Sequence, residues 1–170
     1  PQNILLSWDG AIKICDFGVA ITHRQMAGPD GDVVRNVCGT PSYMSPEQAR
    51  GHNIDGRSDL FALALVIAAM VGGQNPLGHR YVVKRIASGK ELTAPLLSDE
   101  VVEALNAAVP GLAPVLLGCL EPDKNRRTAT ADKVIEHLRV LQEQVGYSPR
   151  LTDWLPTAAR SDDTQLLWQN

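Results

Sequence analysis

The chain has 170 residues, 44% of them hydrophobic and 21% charged, with a formal net charge of −3 at pH 7 and a pI near 5.8. That length and apolar content suffice for one buried core, so one domain, or a large part of one, is expected. The mildly acidic balance and the lack of a basic run interleaved with aromatics argue against nucleic acid or an anionic membrane as partner.

The first residue is Pro1 rather than Met, which reads as a piece of a longer product, and no secretory leader is visible at the start. Asn3-Ile4-Leu5-Leu6 and Ala11-Ile12-Lys13-Ile14-Cys15 read as two short strands. Asp9-Gly10 between them predicts a hairpin closed by a type I′ turn, which needs positive φ at both central residues. Residues 22–39, with Gly28-Pro29-Asp30-Gly31-Asp32 at their centre, predict a long exposed loop. Ser45-Pro46-Glu47-Gln48 carries a helix start. Ser45 suits the cap, Pro46 the first turn and Gln48 the return arm of a capping box, and Gly51 suits the end.

Ser58 to Val71 is apolar nearly all round and is stopped by Gly72-Gly73, the pattern of a helix at the centre of a domain. The apolar run from Leu60 to Gly73 is short for a membrane span. Further helices are predicted over about 81–88, 99–109 and 113–120. A last one starts near Thr130, with Val134, Leu138, Leu141 and Val145 forming one buried face. From residue 146 onward the pattern weakens into a tail or linker. The three cysteines, Cys15, Cys38 and Cys119, are scattered without a C-x-x-C pair, which reads as reduced thiols in the cytoplasm. The four histidines share no metal-ligand spacing.

One constellation carries chemistry. Asn3 precedes the first strand and Asp16 follows the second, so a hairpin brings both to its open end. An amide oxygen beside a carboxylate suits Mg²⁺, which takes few protein ligands and keeps water or phosphate oxygens. The alternative is that both are ordinary turn or cap residues.

Ile14-Cys15-Asp16-Phe17-Gly18, then Gly39-Thr40-Pro41-Ser42-Tyr43-Met44-Ser45-Pro46-Glu47, then Asp59 opening an apolar helix and an arginine late in the chain, occur in order. This series resembles the catalytic core of eukaryotic-like (Hanks-type) serine/threonine protein kinases, most similar to bacterial ones, over about residues 1–145. The resemblance implies a mainly α fold with a small β-hairpin, the C-terminal lobe of the two-lobed α+β kinase fold. Residues 1–145 would form that partial domain and 146–170 a tail or linker. It further implies transfer of the ATP γ-phosphate to serine or threonine of a protein substrate, with ATP and Mg²⁺ as cofactors.

Carried over by residue, Asn3 and Asp16 resemble the Mg²⁺ ligands, and Asp16 the Asp of D-F-G. Phe17 resembles the packing residue that separates active from inactive states, and Gly18 the hinge beside it. Leu5 resembles the apolar floor under adenine; plain core packing is the other reading of Leu5 and Phe17. Thr40 resembles the threonine that supports the catalytic Asp and Lys. Residues 39–44 resemble the shelf for the substrate residue after the phosphoacceptor. Glu47 resembles the Glu of A-P-E, with Ser45 in place of Ala, and is paired in the family with a late arginine. Aligning Leu120-x-x-Asp123 with the family's L-x-x-D-P-x-x-R selects Arg127 over Arg126 and puts Lys124 where the family has Pro. Asp59 resembles the central-helix Asp that holds the catalytic-loop backbone; alternatively Ser58 and Asp59 only cap the helix.

The glycine-rich loop, the phosphate-contacting Lys, its Glu partner and H-R-D do not occur in this sequence. The isolated chain is therefore expected to be inactive, a lobe without its N-terminal partner lobe. A pseudokinase or scaffold role is the competing reading. No Ser, Thr or Tyr lies in residues 23–39, so activation by a phosphate at the loop centre is not expected.

Overall fold

The computed structural model describes residues 3–7, 10–16 and 41–146. They fall into two compact units, the N-terminal hairpin and a helical body.

In the hairpin, β1 (Ile4–Leu6) pairs antiparallel with β2 (Ile12–Ile14), in the register Ile4↔Ile14, Leu5↔Lys13, Leu6↔Ile12. The turn differs from the expected two-residue type I′. The Ser7 N–H donates to Ala11 O (2.9 Å) and Gly10 N–H to Ser7 O (3.0 Å), so three residues separate the closing pair. Gly10 alone of the described turn residues has positive φ, 83°. A three-residue loop ending on a left-handed glycine matches strand twist as well as a type I′ turn does. Strand alternation puts Ile4, Leu6, Ile12 and Ile14 on one face, and all are exposed. Leu5, on the other face, is half-buried.

The body is helical. α1 (Pro46–Arg50) has the full capping box: the Ser45 N–H donates to Gln48 Oε1 (2.9 Å) and the Gln48 N–H to Ser45 Oγ (3.4 Å). Gly51 closes it at φ 66°. α2 (Gly56–Gly72) starts two residues before the expected Ser58 and ends on left-handed Gly73. Its cap is Asp55, whose Oδ1 accepts from the Arg57 N–H at 3.0 Å. Ser58 and Asp59 thus sit inside the first turn, and the reading of them as caps is corrected. α3 (Tyr81–Ala87), α4 (Asp99–Ala108), α5 (Leu112–Cys119), a 3₁₀ turn (Lys124–Arg126) and α6 (Ala131–Val145) follow.

α2 is the hub, packing on α4 and α5, while α1 meets α3 and α5 meets α6. Phe61, Ala64, Leu65 and Ala68 from α2 join Leu105, Leu116, Leu120 and Val134 in the core. Each large side chain buried there contributes about 1.5–3 kcal/mol. The hub is not covered all round: Leu63, Met70 and Val71 are exposed among the described residues. The α6 face is also narrower than expected. Val134 is buried and Leu138 and Leu141 are half-buried, but Val145 is 45% exposed. Leu141 lies over Gly111, where an added Cβ would come within 2.8 Å of it, and Val145 is one turn beyond that contact. No helix among the described residues is long and apolar enough to cross a membrane. Cys15 and Cys119 are free thiols.

Candidate functional site

At the open end of the hairpin the Cys15 N–H donates to Asn3 O at 2.9 Å, which extends the ladder one step past the strands. That step brings Asn3 Nδ2 to 3.4 Å from Asp16 Oδ2. Both residues are exposed, and Asp16 holds φ at 62°, a left-handed conformation that short polar side chains tolerate at a cost. The two ends of an amide are nearly interchangeable in shape, so rotating the Asn3 amide turns its oxygen toward the same point. Two oxygen ligands on neighbouring corners around Mg²⁺ lie about 2.9 Å apart. The pair fits the protein's share of such a site, with the remaining corners open to water or phosphate. No cluster of three or more His, Cys, Asp or Glu suited to a metal occurs among the described residues. Phe17, Gly18 and Thr40 lie outside the described residues.

The second candidate group lies in the helical body. Glu47, in the first turn of α1, meets Arg127 just after the 3₁₀ turn. Arg127 Nη1 donates to Glu47 Oε1 at 2.6 Å and Nη2 to Oε2 at 2.8 Å, a two-pronged pair. The two side chains are 6% and 0% exposed. Arg126 instead points at Glu121, 3.8 Å away, with its side chain mostly in solvent. The other Arg127 protons are also used. Nε donates to Glu121 O (2.7 Å), Nη1 also to Arg57 O (3.1 Å) and Nη2 to Pro122 O (3.3 Å), while the guanidinium carbon sits 5.0 Å from the Phe61 ring centroid. Sequence reading missed the third member, Ser58, whose hydroxyl donates to Glu47 Oε1 at 2.5 Å. Burial pushes the Glu47 carboxyl up, but the hydrogen bonds from Arg127 and Ser58 outweigh it and hold the pKa at about 2.

Asp59 sits one residue after Ser58 and makes no hydrogen bond among the described residues. Desolvation, and then the charge of Asp55, raise its pKa. Lys124, where the family pattern has Pro, joins a second cluster. Its Nζ lies 2.8 Å from Asn53 O and 3.2 Å from Asp55 Oδ2, and Arg57 pairs with the same carboxylate oxygen at 2.8 Å. Arg57 Nη1 in turn donates to Lys124 O at 2.9 Å.

Residues 41–43 form a turn leading to Ser45 and α1. Two contacts pin that turn to the loop before α3: Asn75 Nδ2 donates to Ser42 O (2.8 Å), and Ser42 Oγ lies 2.9 Å from His79 Nδ1. No sequence spacing pointed to either contact.

A hairpin with an Asn/Asp mouth, followed by an all-helical body braced by a Glu–Arg pair, defines the class. The sequence model of the protein kinase domain matches residues 1–139, and the chain belongs to that family. Among its relatives are serine/threonine-protein kinase PknB of Mycolicibacterium smegmatis, 33% identical over 160 residues, and PknB of Mycobacterium tuberculosis, 32% identical over 156. Each alignment covers 90% of this chain and 24% of the relative. Serine/threonine-protein kinase pkn3 of Myxococcus xanthus is 42% identical over 81 residues, covering 45% of this chain and 15% of its own length. The chain thus spans a quarter or less of these relatives, and within the family it resembles bacterial serine/threonine kinases. The fold is that of the mainly helical kinase lobe with its hairpin.

Proposed function

We propose that this chain is the nucleotide- and substrate-facing lobe of a cytoplasmic serine/threonine protein kinase, using ATP and Mg²⁺ to phosphorylate a protein. The observation that carries the reading is the approach of Asn3 to Asp16. Bound Mg²⁺ would neutralise charge on the phosphate oxygens. Asn3 and Asp16 would hold it, and Leu5, on the hairpin face opposite the exposed isoleucines, would lie under the adenine. Thr40 would support the catalytic groups, and residues 39–44 would carry the substrate residue after the phosphoacceptor. Phe17 and Gly18 would set the position of Asp16. Asp59 would take its hydrogen bonds from catalytic-loop backbone outside this sequence. Glu47 and Arg127 are structural: neither is free to reach a substrate. Residues 1–145 would make up the domain segment and 146–170 a tail.

Phosphoryl transfer depends almost wholly on positioning and charge stabilisation. The base and the phosphate-clamping lysine of the family are not among these residues, so the isolated chain shows no turnover. Joined in frame behind the upstream half of a kinase domain, it transfers phosphate to a serine/threonine peptide, and Asp16→Asn abolishes this. A folded but inert chimera would replace this reading with a scaffold role, and turnover by the 170-residue chain alone would contradict the inactivity.

A further inference from the structure

Among the described residues, two cavities on the helical body have walls that differ in charge. The larger, about 440 Å³, mixes Glu91 and Asp123 with Arg50 and Lys124, so opposite charges sit within one wall. The smaller, about 320 Å³, is walled by Lys84, Arg85, Lys90, His79, Tyr81 and Ser88, with no carboxylate among the described residues of its lining. Residues 60–90 contain no Asp or Glu, although the chain as a whole is acidic. The Nζ groups of Lys84 and Lys90 have no ion-pair or hydrogen-bond partner among the described residues, and both residues are exposed. Arg85 stacks 5.9 Å over Tyr81 and donates through Nη2 to Glu91 O, while its buried Nε has no partner among the described residues. A guanidinium fixed this way and flanked by two unpaired ammonium groups is a receptor for an anion. His79 lines this cavity and also touches Ser42, in the turn assigned above to the substrate shelf.

We propose that the α3 cavity is a specificity subsite for an acidic segment of the protein substrate, lying downstream of the residue on the shelf. This rests on the kinase reading, because the shelf contact through Ser42 and His79 places the cavity along the substrate's path. An acidic peptide fits better than the phosphate backbone of a nucleic acid, because the cavity is small and local on a chain of net charge −3.

The test is fluorescence anisotropy on the 170-residue chain with two labelled serine peptides, one carrying a glutamate run after the serine and one with glutamine in those places. The glutamate peptide binds at least tenfold tighter at low salt and loses that advantage at high salt. Lys84→Glu with Lys90→Glu abolishes the preference and transfers it to a lysine-substituted peptide, a gain that misfolding cannot produce. Lys133→Glu, on exposed α6, leaves it unchanged. Failure of the metal-site reading registers separately, in the chimera assay with Asp16→Asn. Equal binding of the glutamate and glutamine peptides, or a double reversal without effect, overturns the proposal. So does tighter Lys84- and Lys90-dependent binding to an RNA oligonucleotide or to phosphatidylserine vesicles than to the glutamate peptide.

Discussion

Two carboxylate sites in this chain use similar side chains to opposite ends. Glu47 is enclosed: its oxygens take three hydrogen bonds, two from Arg127 and one from Ser58, and both charged side chains are nearly solvent-free. Asp16 is exposed at the mouth of a two-stranded hairpin, 3.4 Å from an amide that can turn either end toward it. A satisfied, buried carboxylate has no capacity left for a ligand and can only hold the fold. An exposed carboxylate beside an amide contributes less to the fold and is reachable from solvent. Burial, rather than residue type, separates the brace from the proposed metal ligand.

Substitutions sharpen that contrast. Arg127→Ala strands the Glu47 charge and lowers the unfolding free energy of the helical body by about 3–5 kcal/mol, measured by urea denaturation. Acid does the same by titration. Glu47 ordinarily titrates near 4.5 and is held at about 2 in the fold, so its contribution is complete above pH 4.5 and is lost as pH falls toward 2. That loss amounts to about 3 kcal/mol, and Glu47→Gln removes this part of the acid limb. Ser58→Ala costs about 1 kcal/mol, since it removes one of three donors from a buried oxygen pair. Lys124→Ala breaks a partly exposed pair with Asp55 and costs at most about 1 kcal/mol, less at high salt. If Lys124→Ala proved as costly as Arg127→Ala, burial would not be the variable that distinguishes the sites.

Local rules made much of this legible in the sequence. Ser45, Gln48 and Gly51 specify α1 through neighbours within a turn, and the capping box is present in full. The proximity of Asn3 and Asp16 follows from hairpin topology alone, although Ser7 and Ala11 close the turn one residue wider than Asp9-Gly10 suggested. α2 starts earlier than Ser58-Asp59 suggests, because Asp55 precedes a glycine, a weak helix former, and Ser58-Asp59 imitates a cap. Arg127 follows from a family spacing; the residues between Glu47 and Arg127 carry no local signal that they meet. Ser58, His79 and the α3 cavity leave no sequence signal for the same reason. Their partners lie 11 to 37 residues away, or assemble only when α3 packs beside α1. The exposed Val145 shows the limit of periodicity, which reports a face but not how far its packing partner extends.

The central claim is that the hairpin mouth is the metal site and the Glu47–Arg127 pair is not. NMR with Mn²⁺ as a paramagnetic stand-in for Mg²⁺ tests it directly on the 170-residue chain. The account predicts broadening centred on the Asn3 and Asp16 amide signals, reversed by excess Mg²⁺. Asp16→Asn should remove it while moving the unfolding free energy by less than about 0.5 kcal/mol. Broadening centred elsewhere, broadening that survives Asp16→Asn, or unfolding of the helical body by that substitution would contradict it.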